Sequence, residues 1–211
     1  MASRITRSPT VQTLLAFLVV FVVSYPLQYL GLFRALFTLS TPVVLNPWAI
    51  VTSVYSHASV GHLLANSIAL VFVGIPLERA TRTWAFHAYF VVTGAVAGLS
   101  QVYVAGLLGL VGVGAGNVAV LGASGAVFAV GGYVVAGNFV TDGILKRLNL
   151  SAEALVVIFV VLAAVVTWAT AAPGVALVAH FTGLLIGLFA GRIGILPERK
   201  RRGRTDPVGH P

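Results

Sequence analysis

The chain has 211 residues, of which 58% are hydrophobic and only 9% are charged. Soluble domains are about 45–50% apolar and about 25% charged, so the composition excludes an ordinary soluble protein and also a disordered one. The 13 basic and 5 acidic residues give a net charge of +8, which alone is compatible with a membrane surface or with nucleic acid. Because the chain has no cysteine, disulfides and thiolate chemistry are excluded. The composition predicts a membrane protein.

Six apolar runs without charged residues follow one another along the chain. A helix needs about 20 mostly apolar residues to cross a bilayer. We expect spanning helices at residues 11–33, 63–77, 84–110, 124–140, 155–171 and 175–191, which predicts one all-α polytopic bundle over residues 11–193. The first run could instead be a cleaved signal peptide, but it exceeds the roughly 7–15 residues of a signal core and no small-x-small site follows it. We therefore expect a retained helix after a segment of residues 1–10.

The basic residues predict the orientation of this bundle, because Lys and Arg concentrate in cytoplasmic loops. With both termini in the cytoplasm, every one of the 13 basic residues except Arg34 lies on the cytoplasmic side. The charge is therefore interpreted as an orientation signal, and we expect no nucleic-acid partner. The basic tail, residues 194–211, is expected to contact anionic membrane lipid.

Several polar residues lie inside the predicted spans, where they are costly and indicate function. His62 and Asn66 are four residues apart and share one helix face. Ser124 begins the fourth run after a glycine-rich segment, where its own N–H is unpaired at the positive end of a helix. His180 precedes a stripe of glycines that begins at Gly183 and allows close helix packing. Each residue alone could merely join two helices, but together they indicate a serine hydrolase site in the outer part of the membrane.

Four motifs in this order resemble the rhomboid family of intramembrane serine proteases, and the resemblance covers all six predicted helices. They are His57-x4-His62-x3-Asn66, Gly74-x3-Glu78, Gly122-Ala123-Ser124-Gly125, and Ala179-His180-x2-Gly183-x3-Gly187. One position departs from the family: Ala49 follows Trp48 where many members carry Arg.

The resemblance implies a six-helix fold that hydrolyses peptide bonds in or near transmembrane segments of membrane-protein substrates. It implies a catalytic dyad of Ser124 and His180, with the ring of Phe128 against the histidine. The oxyanion would be held by the Ser124 N–H and the side chains of His62 and Asn66. The resemblance also implies supporting roles for the glycines of the same motifs, Gly122 and Gly125 around Ser124 and Gly183 after His180. Neither a cofactor nor a metal is implied, and a lid is expected around residues 170–175, with substrate access beside the fifth helix.

The remaining histidines and acids receive other interpretations. All five acidic residues map to the cytoplasmic side, so none is expected in the dyad. We expect a structural role for His57, an interfacial position for His87, and no chemistry for His210. A zinc site formed by His57, His62 and His180 is an alternative, although the carboxylates that usually surround catalytic zinc are missing.

Two other classes of function stay open beside a protease of the cell membrane. A catalytically silent relative would bind membrane clients without cutting them, although the retention of both dyad residues argues against it. A transporter or channel would place polar groups through the whole bilayer, whereas these groups cluster toward one leaflet and no internal repeat is evident.

Overall fold

The computed structural model describes residues 7–114 and 116–198. These residues form nine α-helices and one 3-10 turn, Val43–Leu45. The helices are α1 (Pro9–Tyr29), α2 (Phe33–Phe37), α3 (Ala49–Tyr55), α4 (Val60–Ala80), α5 (Thr83–Leu110), α6 (Ser124–Ala136), α7 (Phe139–Leu148), α8 (Ala152–Ala169) and α9 (Leu177–Ile193). Extended pairing in the described residues is limited to two isolated bridges, Leu39 with Val120 and Thr81 with Glu198. The prediction of an all-α fold is confirmed for this part of the chain.

Six helices correspond to the six predicted runs. Among the described residues, α1, α4, α5 and α8 are long and apolar enough to cross a membrane, whereas α6 and α9 are shorter apolar helices of 13 and 17 residues. Their outer surfaces carry large exposed apolar side chains such as Phe72 and Trp168, which are 74% and 81% exposed. Such surfaces are unfavourable in water and favourable in lipid. The protein is therefore an integral membrane protein.

The starts of three long helices follow from serine residues in the sequence. Ser8 caps α1 and precedes proline at the first helical position, and Ser59 and Ser151 cap α4 and α8 by accepting a backbone N–H of the first turn. Serine is a preferred N-cap because its hydroxyl satisfies one of the otherwise unpaired first-turn donors. No side chain at the N-cap position of α6 or α9 does the same. These two helices carry Ser124 and His180 in their first turns.

Helices α6 and α9 pack backbone against backbone in the centre of the bundle. A side chain added at Gly183, Gly187 or Gly191 would collide with the backbone carbonyl oxygen of Gly125, Ala129 or Tyr133, respectively. Because both series advance by four residues in the same direction, the two helices are parallel. In this register Ser124 is level with Thr182, two residues along α9 from His180, which brings the Ser124 and His180 regions together.

The structure differs from the sequence prediction between the fourth and fifth apolar runs. The fourth run was predicted to reach residue 140, but α6 ends at Ala136 and the connection contains α7. Asn138 explains both: its Nδ2 donates to the carbonyls of Val134 and Val135 at 3.0 and 2.6 Å, and its Oδ1 accepts the Thr141 N–H at 2.9 Å. One side chain thus ends α6 and begins α7. The short helices α2 and α3 were not predicted either.

Candidate active site

A cavity of about 920 Å³ lies among α4, α6, α8 and α9. Its lining includes five of the residues predicted for the site: His62, Asn66, Ser124, Phe128 and His180. The rest of the lining is mostly apolar and comes from the same four helices, from the segments that precede α4 and α6, and from the segment that joins α8 to α9. The structure therefore brings the predicted polar residues to one concave site.

Ser124 is the first residue of α6, and its position is defined by close packing on both sides. A Cβ on the next residue, Gly125, would lie 2.6 Å from the Ala97 Cβ on α5 and 3.5 Å from the Ala179 carbonyl oxygen on α9. Because first-turn N–H groups have no partner within their own helix, the Ser124 N–H is available at the positive end of α6. Glycine at position 125 allows α5 and α9 to approach the serine.

His180 is 8% exposed and is held by contacts on its ring face and ring edge. The Phe128 ring centroid lies 4.4 Å from that of His180 with an interplanar angle of 39°. Thr170 Oγ1 lies 3.4 Å from His180 Nδ1. Ser124 and His180 both line the cavity, but among the described residues no hydrogen bond joins Ser124 Oγ to His180. Hydrogen bonds between a nucleophile and its base are often long without substrate and shorten in the complex.

The N-terminus of α9, just before His180, is capped by a side chain from another helix. Gln101 Oε1 on α5 accepts the N–H groups of Val178 and Ala179 at 3.0 and 3.3 Å. Gln101 therefore supplies the cap that the N-cap position of α9 lacks. Gln101 was not predicted for the site, and its signal in the sequence was a lone amide within an apolar helix. Thr170 was predicted as part of the lid and not as a contact of His180.

His62 and Asn66 reach the cavity from α4. Asn66 is 5% exposed and its Nδ2 donates one hydrogen to the His62 carbonyl at 3.0 Å, which leaves the second amide hydrogen free to donate elsewhere. The His62 ring packs on Gly122, where an added Cβ would lie 2.6 Å from Cε1 and 2.7 Å from Nε2. Gly122 has φ +124°, which favours glycine, and its N–H donates to the Ser53 carbonyl at 2.8 Å.

Of the other histidines, His57 contacts His62 without lining the cavity, and His87 lies apart from the site. His57, between α3 and α4, is fully buried, with ring centroids 4.8 Å from Phe17 and 5.1 Å from His62. Burial lowers the pKa of His57 to about 4, and the charge of nearby His62 contributes. His87 Nε2 lies 2.7 Å from Gln12 Oε1 and links α5 to α1. His210 lies outside the described residues.

The described residues contain no group of three or more His, Cys, Asp or Glu side chains placed to hold a metal. The zinc alternative built on His57, His62 and His180 therefore has no support in this part of the chain. Glu78, the end of the second motif, instead accepts from Ser8 Oγ at 2.6 Å and from the Thr10 N–H at 3.1 Å. This contact joins the end of α4 to the start of α1.

These observations define a polytopic α-helical membrane protein in which a serine and a histidine share a cavity within the bundle. Residues 44–196, more than half of the chain, match the Rhomboid domain. The chain therefore belongs to the rhomboid family, and the resemblance inferred from the four motifs is confirmed. Members of this family are usually intramembrane serine proteases that act on membrane-protein substrates. No curated protein gives a significant match.

Proposed function

We propose that this protein is an intramembrane serine protease that hydrolyses peptide bonds in or near transmembrane segments of its substrates. One observation carries the proposal: Ser124 and His180 occupy the first turns of two parallel, backbone-packed helices and line one cavity with His62 and Asn66. Nucleophile, base and hydrogen-bond donors are the components that peptide-bond hydrolysis requires.

In the proposed reaction, His180 accepts the Ser124 hydroxyl proton while Oγ attacks the carbonyl carbon of the scissile bond. The Ser124 N–H and the side chains of His62 and Asn66 donate to the resulting oxyanion. The protonated His180 then gives its proton to the departing amine, which leaves an ester on Ser124. Water, activated by His180, attacks this ester and releases the carboxyl product. Each such oxyanion donor typically lowers the barrier by about 2.7–4 kcal/mol.

The dimensions of α6 support a site below the membrane surface. Its 13 residues correspond to about 20 Å at 1.5 Å per residue, whereas the hydrocarbon core is about 30 Å thick. If the end of α6 that leads into α7 lies at the cytoplasmic surface, Ser124 lies within the outer part of the bilayer. We propose that all six apolar helices span the cell membrane with both termini in the cytoplasm. The proposed division of the chain is a segment of residues 1–10, the bundle of residues 11–193 and the tail of residues 194–211.

The cavity lining supports substrate access beside α8, the fifth of these spans. Leu162 and Val166 of α8 and Phe72 and Val73 of α4 all contribute to the lining. The segment that joins α8 to α9 contributes residues 173–176 to the lining. We propose that a transmembrane substrate reaches Ser124 between α4 and α8, and that residues 170–175 act as the lid.

The test uses the full chain reconstituted in liposomes with a transmembrane substrate, and it includes labelling by a serine-reactive fluorophosphonate. Ser124→Ala and His180→Ala should each abolish cleavage, and Ser124→Ala should abolish labelling. Ser67→Ala, on α4 but outside the cavity lining, is the matched control and should behave as wild type. Wild-type protein that neither labels nor cleaves would favour the silent relative, and cleavage by Ser124→Ala would refute the dyad.

A further inference from the structure

Thr170, the residue that follows the last turn of α8, contacts His180 at the Nδ1 side of its ring. Thr170 is the C-cap residue of α8, and its Oγ1 lies 3.4 Å from His180 Nδ1. Both side chains line the cavity. No Asp or Glu is among the described residues of this lining, so no carboxylate there accepts a proton from Nδ1.

The hydrogen bonds of Thr170 determine in which direction this contact runs. Its Oγ1 lies 3.1 Å from the Val166 carbonyl and 3.0 Å from the Thr167 carbonyl, at the end of α8 where carbonyls lack helical partners. A hydroxyl has one hydrogen, and a carbonyl can only accept. Both carbonyls lie closer to Oγ1 than Nδ1 does, which favours donation of the hydroxyl hydrogen to them, and that arrangement leaves an oxygen lone pair facing Nδ1.

The consequence concerns which nitrogen of His180 carries the proton. A neutral imidazole has one N–H and one accepting nitrogen, and the partner of one nitrogen determines the tautomer. An accepting Thr170 oxygen favours the proton on Nδ1, which leaves the lone pair on Nε2 for the Ser124 hydroxyl. Phe128 packs on the ring face, so the two contacts together restrict both the tilt and the rotation of the ring.

We propose that Thr170 is a positioning residue that accepts the Nδ1–H of His180 and so selects the tautomer that acts as base, which links the end of α8 to the dyad. This inference rests on the proposed protease function. In this inference the last turn of α8 affects the dyad as well as the cavity, because its displacement would remove the partner of His180 Nδ1.

The test compares two variants of Thr170 with a control one turn away. Thr170→Val removes the hydroxyl at nearly constant volume, and Thr170→Ser keeps it. Thr167→Val makes the same change in α8 at a hydroxyl that has no hydrogen-bond partner among the described residues. In liposomes, kcat should fall about 3–10-fold in Thr170→Val with little change in KM, which is the range expected for one lost hydrogen bond. Thr170→Ser should restore most of it, and Thr167→Val should match wild type.

A spectroscopic readout separates this role from general stabilisation. Nitrogen-15 NMR of histidine-labelled protein, with His180→Ala used to assign the signal, should report one Nδ1-protonated tautomer in wild type and a mixture in Thr170→Val. Unchanged kcat in Thr170→Val, equal loss in Thr170→Ser, or an unchanged tautomer signal would overturn the inference. If the wild type fails to react with a fluorophosphonate, the protease proposal fails, and the NMR comparison alone decides the tautomer role.

Discussion

Replacement of Gly122 by alanine should inactivate the site through His62 without unfolding the protein. The new Cβ would lie 2.6 Å from His62 Cε1, whereas ordinary contacts begin near 3.4 Å, so the ring must move by about 0.8 Å. Displacements near 1 Å can cost about 10²-fold in rate, and loss of an oxyanion donor costs about 10²–10³-fold. We therefore expect kcat to fall about 100-fold. The φ of +124° lies outside the left-handed region that alanine can adopt, and such backbone strain adds about 1–3 kcal/mol of destabilisation.

The control must separate ring displacement from backbone strain. Gly31 has φ +70° and no atom within 4 Å of its virtual Cβ, so Gly31→Ala introduces the strain alone. Gly31→Ala should lose about 1–2 kcal/mol of unfolding free energy and Gly122→Ala more, measured by denaturation in detergent, because φ +124° lies further from the left-handed region than φ +70°. Only Gly122→Ala should lose activity toward a reconstituted transmembrane substrate. Wild-type kcat in Gly122→Ala, or equal activity loss in Gly31→Ala, would refute the assignment of His62 to the reaction.

Three further predictions concern the elements that position the site. Gln101→Leu should destabilise the protein by about 1–3 kcal/mol in unfolding measurements and lower kcat, since two N–H groups of α9 lose their acceptor; unchanged stability would contradict this capping role. Gly187→Ala should cost about 3 kcal/mol or prevent folding, because its methyl group meets the Ala129 carbonyl, and a Tm equal to wild type would disprove the backbone contact. Arg192→Gln should change stability by less than about 1 kcal/mol, because its 3.2 Å ion pair with Asp142 is exposed; a larger loss would indicate a buried pair.

The sequence predicted the apolar helices well because their signals are local. Hydrocarbon length and charge-free composition define a span over about 20 adjacent residues, and the six runs correspond to six helices. The prediction failed where a single side chain decides a boundary. Asn138 ends one helix and begins the next through contacts within four residues, and a polar segment gave no indication of that geometry.

The residues of the candidate site likewise divide into those that short motifs predict and those that only the packing of distant segments brings to the site. Ser124, His180, His62 and Asn66 were identified because each stands in a short motif, and the structure brings them to one cavity. Contacts between distant segments could not be predicted from spacing. Gln101 is 77 residues from Val178, which it caps, and their meeting depends on how α5 packs against α9.

The backbone contact between α6 and α9 also determines which helices of this protein tolerate substitutions. The spacing of these helices is set by main-chain atoms at glycines, so no choice of side chain can adjust it and any added methyl group disturbs it. By contrast α8, whose apolar side chains are largely exposed, tolerates exchange of one hydrophobic residue for another. In the proposed protease, substitutions on α8 would therefore alter which transmembrane segments reach the cavity, while the spacing of the helices that carry Ser124 and His180 stays unchanged.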